Sequence, residues 1–258
     1  MTSKEENGRD WLGEMFACLG FFTRLPIPAY RLARDGFGRA LWAAPLAGVV
    51  PAFGAATMLG VGHALDLPPL ASAVLALLAT LLITGALHED GLADVADGFG
   101  GGATRERKLE IMKDSRIGTY GVAALVLSLL LRASLMAALV PFGFWTALAV
   151  LIAAHCASRA LLPAMMHDLP NARSGGVSAG VGRVPLESAM IALALGAVLL
   201  APPGVAAAFL SALLLASCYG ALRWLALRQI GGQTGDVLGS LQQAGEVAVL
   251  IAATSQLN

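Results

Sequence analysis

Charge is what this sequence has least of. Only 13% of its 258 residues are Asp, Glu, Lys or Arg, while 57% are hydrophobic. An ordinary soluble domain is about 25% charged, so the composition excludes a soluble globule and predicts a membrane protein. No sign of charge dominates either: 17 basic residues face 17 acidic ones. That leaves no excess to neutralise a phosphate backbone and excludes a nucleic-acid partner. Cysteine is scarce. Cys18, Cys156 and Cys218 are odd in number, far apart and set among apolar residues, which excludes a disulfide framework or a zinc site. The N-terminal MTSKEENGRDW lacks a cleavage-site pattern, so no removable signal peptide is expected. There is no internal repeat and no low-complexity tail, and one integral domain over residues 1–258 is the simplest account.

What is present is apolar helix. Trp11, Leu12, Met15, Phe16 and Leu19 form a helical stripe followed by FFTRLPIP. The run is too short for a hydrocarbon core of about 30 Å, so an interfacial or re-entrant helix is expected there. Seven transmembrane helices follow in an all-α, polytopic reading, at about 40–63, 68–87, 119–140, 142–163, 186–202, 204–222 and 236–255. Pro45 and Pro51 predict a kink in the first. Gly239, Ser240, Gln242, Gln243 and Glu246 make the last polar in its first half, as a helix lining a cavity inside the bundle would be.

Basic residues alternate with these spans. They precede the first (Lys4, Arg9, Arg24, Arg31, Arg34, Arg39) and recur between 88 and 118, around 159–183, and at Arg223 and Arg228. The intervening loops HALDLPP, PFG and APPG carry none. The positive-inside rule puts the N-terminus and the long loops in the cytoplasm, and seven spans put the C-terminus outside.

The polar residues concentrate between Thr84 and Gly121. Asp90, Asp94 and Asp97 recur at i, i+4 and i+7, within roughly 60° of one another on a helix. Like charges so placed repel unless a cation binds. Oxygen donors alone suit Mg²⁺ or Mn²⁺, not Zn²⁺. Glu89 lies about 100° off that face on a continuous helix and is a secondary ligand candidate; Gly91 is a point where the helix could break. His88 reads as a packing residue or a support to the ligands. The glycines of GFGGG let backbone amides approach an anion. Arg105, Arg107 and Lys108 beyond them fit an anion site and a headgroup-facing loop equally. Lys113 and Arg116 are phosphate candidates.

Further along, Arg132 is the one basic residue well inside an expected span, and Glu246 is its candidate partner. Arg159, at the end of a span, fits a snorkelling side chain or a phosphate clamp. NARSGG offers Asn171 and Arg173 on a flexible turn suited to a phosphate. GGQTGDVLGS places Thr234, Gly235 and Asp236 where the last helix begins, as a helix cap or as a loop closing on phosphate or metal.

Taken together, HEDGLADVADGFGGG, KDSRIGTYG, FFTRLPIP and GQTGDVLG resemble the cobalamin synthase family, the adenosylcobinamide-GDP ribazoletransferases, over almost the whole chain in order. The resemblance implies a late step of cobalamin biosynthesis. Adenosylcobinamide phosphate passes from its GDP-activated form to α-ribazole or α-ribazole 5′-phosphate, GMP is released, and Mg²⁺ is required. It implies a multi-pass protein of the bacterial inner membrane with its site facing the cytoplasm. A homo-oligomer, or a complex with other enzymes of nucleotide-loop assembly, stays open. On this reading Asp90, Asp94 and Asp97 hold Mg²⁺ with Glu89 in reserve. Asp97, Asp94 or Asp236 is the general base, with Asp97 the first choice. Arg159, Arg173, Lys113 and Arg116 clamp phosphates, and Arg24, Asn171, Thr234 and Gly235 complete the substrate site.

Two rivals belong to other classes. The aspartate run is similar in character to that of the CDP-alcohol phosphotransferases, lipid headgroup enzymes whose acids lie on two helices with an Ala-Arg pair, absent here after Asp94. An ion-coupled transporter would instead place its acids near the bilayer midplane on broken helices.

Overall fold

A computed structural model describes residues 9–27 and 36–257 of the chain. Lys4, Arg31, Arg34 and most of the polar N-terminal stretch lie outside them. Among the described residues the regular structure is helical with no strand, and α1 is Trp11–Phe22. Asp10 starts it by accepting from the Gly13 amide at 2.9 Å. The helix docks through Glu14, which pairs with Arg9 at 3.0 Å and accepts from the Trp42 indole at 2.6 Å.

The expected kink is present. Residues 37–64 comprise α2 (Phe37–Ala40), a 3₁₀ turn at Leu41–Ala43, α3 (Ala44–Ala47) and α4 (Val49–Ala64). Pro45 and Pro51 both fall in first turns, where no helical hydrogen bond is lost. α4 returns as α5, Pro69–Thr84. The two meet through Ala52, Ala55 and Ala56 on one side and Ala73 and Ala76 on the other, all fully buried. Apolar helices in lipid gain by such close approach of small residues.

The chain then turns through 92° into α6, Leu87–Gly101. Gly85 (φ +65°) and Ala86 (φ +55°) make the corner. The Arg24 guanidinium occupies the space a Gly85 side chain would fill. After α6 come α7 (Arg105–Ile111), α8 (Thr119–Ala137), a 3₁₀ turn at Val140–Phe142 and α9 (Gly143–Asp168). The last four are α10 (Val177–Val181), α11 (Leu186–Leu199), α12 (Val205–Ile230) and α13 (Gly235–Thr254).

Length and composition qualify fewer spans than seven. Phe37–Ala64, Thr119–Asp168, Val205–Ile230 and Gly235–Thr254 qualify, and α5 with α6 makes a fifth only if counted across the bend. Thr119–Asp168 contains the expected third and fourth spans. α8 follows α7 in the chain, and Arg105 of α7 bonds Ala172 O just past the end of α9, so the chain goes out along α8 and back along α9. The expected fifth span is only the 14 residues of α11, about 21 Å long and short of a hydrocarbon core.

α13 is the central helix, with Leu241, Val249 and Leu250 fully buried, and α12 lies outside with Phe209 75% and Val205 88% exposed. An apolar exterior of this kind is what lipid requires. The polar half of α13 faces inward, into a cluster of ionic side chains. Arg132 bonds Glu89 and Glu246, each at 2.7 Å, and His155 meets Glu246 at 3.0 Å. Gln243 donates to Glu89 at 3.1 Å, and Gln242 bonds Glu246 at 2.7 Å and Ser158 at 3.2 Å. With Arg159 beside His155, two guanidiniums balance two carboxylates, the condition under which charge is tolerated at such depth.

Candidate active site

Three loops distant in sequence are bolted together beside the start of α13. Gly231 (φ +76°) ends α12, and Gly232 passes so close beneath the Pro170 carbonyl that any side chain would collide with it. The Ala172 amide donates to the Gln233 carbonyl and the Gln233 amide to the Pro170 carbonyl, both at 2.8 Å. The Asn171 and Gln233 side chains bond one another, and Ser178 of α10 donates to Gln233 Oε1 at 2.6 Å. Arg105 closes the assembly, donating to Ile230 O at 2.7 Å and Ala172 O at 2.8 Å. These contacts bring Arg173 Nη2 to 3.1 Å from Asp236 Oδ2. Thr234 caps α13 by accepting from the Val237 amide at 3.3 Å, and its hydroxyl donates to Asp236 at 3.2 Å.

α6 is pressed onto the same end of α13. A Cβ on Gly91 would sit 2.8 Å from the Asp236 carbonyl oxygen, and one on Gly239 would sit 3.1 Å from that of His88. Ser240 donates to Gly91 O at 3.1 Å. Gly91 therefore does not break the helix; it is where two backbones touch. The close crossing sets Asp90 and Asp94 within the field of Asp236, three carboxylates that repel one another, with Arg173 as the nearby cation.

At this crossing lies a cavity of about 160 Å³. Phe21, Phe22, Phe37, Leu41, Leu162, Met166 and Val181 are among its apolar lining, and His88, Asp90, Arg173, Ser178 and Asp236 are its polar lining. A smaller polar recess of about 10 Å³ adjoins it through Arg173, Ser178 and Gly235, walled also by Asn171, Gln233 and Thr234. That is the room of about one water. Of the site residues expected from the sequence, Asp90, Asp94, Asn171, Arg173, Thr234, Gly235 and Asp236 are thus brought together.

The others stand elsewhere. Both oxygens of Asp97 accept backbone amides, Gly118 at 2.7 Å and Gly121 at 2.8 Å. Asp97 caps α8 from a neighbouring helix and complements its dipole. Glu89 belongs to the buried ion cluster through Arg132. Among the described residues, no three His, Cys, Asp or Glu side chains stand close enough to hold a metal ion unaided. The expected Asp90–Asp94–Asp97 ligand set with Glu89 is therefore not formed. Arg159 is 1% exposed and bonds the His155 carbonyl at 2.8 Å, deep in α9 and outside the cavity lining. Lys113 is exposed. Arg116 is 87% exposed and paired with Asp114 at 2.6 Å, a bond that holds the Asp114 carboxyl at about 2. Arg24 lies over the α5–α6 corner.

Sequence reasoning missed the aromatic wall, Phe21, Phe22 and Phe37, because apolar side chains give no signal in so apolar a chain. His88, expected as a packing or supporting residue, is buried and stacked on Phe22. Arg105 reads as one of several loop bases until its two carbonyl acceptors are seen.

Fold and site together define a polytopic helical membrane protein with a carboxylate–guanidinium cluster at the edge of a small apolar cavity. Comparison with known proteins is consistent with that class and narrower. The profile of the family described as cobalamin-5-phosphate synthase matches residues 14–254. The chain belongs to that family. A relative from Mesorhizobium japonicum is 49% identical over 97% of this chain and 96% of its own. One from Bradyrhizobium diazoefficiens is 48% identical over 99% and 98%, and one from Azorhizobium caulinodans 46% identical over 93% and 94%. All three are named adenosylcobinamide-GDP ribazoletransferase. No solved structure matches the chain.

Proposed function

We propose that this chain transfers adenosylcobinamide phosphate from adenosylcobinamide-GDP to α-ribazole or its 5′-phosphate, releasing GMP. The observation that carries the proposal is the meeting of Asp90, Arg173 and Asp236 at one edge of an apolar cavity. Phosphoryl transfer asks a protein for little beyond charge neutralisation and alignment of the attacking hydroxyl. Family membership makes the substrates specific.

Release of GMP dictates the bond changes. A ribose oxygen of ribazole attacks the phosphorus on the corrinoid side of the diphosphate. The P–O bond to the guanosine-side phosphate breaks, and GMP leaves with its electron pair. Arg173 has an Nη1 without a partner beside the Nη2 that holds Asp236. Its free edge binds a phosphate oxygen and balances the charge on departing GMP. Drawing Arg173 toward the diphosphate frees Asp236, which lines the cavity, to take the hydroxyl proton.

The mutual repulsion of Asp90, Asp94 and Asp236 and their all-oxygen donor set suit a hard divalent cation. Mg²⁺ is commonly held by one or two carboxylates plus substrate phosphates, so the lack of a ready three-ligand site accords with it. Asp90 and Asp94 would hold it, and when bound it supplies neutralisation of the diphosphate. We place the site at the cytoplasmic face of the inner membrane. Arg105, at the start of α7, bonds Ala172 O beside the cavity, and Arg173 lines it, a gathering of bases that the positive-inside rule expects on the cytoplasmic side.

The test is substitution of Asp90 and Asp94 by asparagine, singly, in the purified protein. Product formation should fall to background while each variant inserts in the membrane like the parent. Near-parental turnover in both would sink the assignment.

A further inference from the structure

We infer that the apolar end of the cavity, where Phe22 is stacked on His88, seats the heterocyclic base of the acceptor nucleoside, with His88 Nε2 bonded to that base's ring nitrogen. The inference rests on the reaction proposed above and adds which part of which substrate enters the cavity.

Size comes first. A cavity of about 150 Å³ engineered in another protein accommodates benzene, and this one is about 160 Å³. It admits one small aromatic system and excludes a corrin macrocycle. Two bicyclic bases remain, the guanine of the donor and the benzimidazole of the acceptor. Guanine carries several donors and acceptors around its rim, each of which costs free energy if buried unpaired. The apolar walls, Phe21, Phe22, Phe37, Leu162 and Met166 among them, offer it nothing, and the charged lining, Asp90, Arg173 and Asp236, is taken by the diphosphate and the attacking hydroxyl in the reaction proposed above. A benzimidazole joined to ribose is apolar apart from one ring nitrogen that accepts a hydrogen bond.

The cavity has a matching group. His88 is 3% exposed, and its Nε2 has no hydrogen-bond partner. A buried ring nitrogen left this way costs stability, which points to a ligand that completes it. The ring is held in place: its plane lies 9° from that of Phe22 with centroids 5.9 Å apart, and Phe22 is 4% exposed. The charged side chains of the same lining, Asp90, Arg173 and Asp236, then receive the ribose hydroxyl and the diphosphate.

The experiment is steady-state GMP release by the purified full-length protein, varying α-ribazole and the GDP-activated donor separately. His88→Phe keeps a ring beside Phe22 and removes the nitrogen. It should raise KM for α-ribazole about tenfold, the factor lost with one hydrogen bond worth about 1.4 kcal/mol, and leave KM for the donor within about twofold. Phe22→Leu should move the same constant in the same direction. A rise confined to the donor, an equal rise in both, or no change in either overturns the inference. Free benzimidazole tests it without any variant: inhibition of the parent protein should be competitive with α-ribazole and not with the donor. Competition with the donor alone, or no inhibition, counts against it. Failure of the parent protein to release GMP from these substrates would instead overturn the proposed reaction itself.

Discussion

Replacing Gly91 by alanine puts one methyl group where α6 and α13 cross. The new Cβ would stand 2.8 Å from the Asp236 carbonyl oxygen, 3.0 Å from the Asp236 Cα and 3.2 Å from the Gly239 Cα. All three are backbone atoms, so no side chain can rotate away and the helices themselves must separate. Relief to ordinary contact near 3.4 Å needs a movement of about 0.6 Å, and overpacking of this kind costs about 1–3 kcal/mol. The displaced helix carries Asp90 and Asp94 away from Asp236 and Arg173. A misplacement of about 1 Å lowers turnover by about 10²-fold, so a loss of ten- to a hundredfold in kcat is expected here. The assay pairs GMP release with thermal unfolding of the purified protein. Gly220, on α12 with open space around it, is the control: alanine there should leave turnover unchanged and add about 0.5–1 kcal/mol of stability. Parental turnover and stability in Gly91→Ala would refute the claim that this crossing builds the site.

Arg132→Met removes the cation between Glu89 and Glu246 and should cost about 3–5 kcal/mol, read as lost thermal stability, because two carboxylates are left buried without it. Asp97→Ala unties the first turn of α8 and should cost about 1–2 kcal/mol while GMP release persists; abolished turnover in a fully stable variant would return Asp97 to the catalytic group. Chelation of divalent cations by EDTA should abolish turnover and added Mg²⁺ restore it; activity that survives chelation would remove the cation from the account.

Much of the site was legible in the sequence wherever a polar group stood against an apolar background. The inward-facing polar half of α13 and the pairing of Arg132 with Glu246 follow from the expense of charge in lipid. The meeting of NARSGG with GGQTGDVLG, seen as Arg173 on Asp236, follows from both lying on the basic side of the membrane. What stayed hidden depends on backbone and on depth. Asp97 sits on the aspartate face by periodicity, but its partners are the amides of Gly118 and Gly121, groups that every residue carries and no pattern marks. Arg159 lies at the edge of an apolar run. α9 nonetheless continues to Asp168, which puts Arg159 inside the bundle instead of at the surface. The expected fifth span differs from α11 in length. Hydropathy measures how apolar a stretch is and not how long its helix runs: α11 packs on α9 through small residues such as Ala189 and Ala192, exposes Leu186, Met190 and Val198, and is 14 residues long.

The central claim is tested most directly by the stoichiometry of one reaction. Purified protein in detergent or lipid is mixed with adenosylcobinamide-GDP, α-ribazole and Mg²⁺, and GMP and corrinoid products are quantified together. The account predicts one GMP for each adenosylcobalamin formed, and no GMP when α-ribazole is left out. Cobalamin formed without GMP, or GMP released at the same rate without the acceptor, would contradict it.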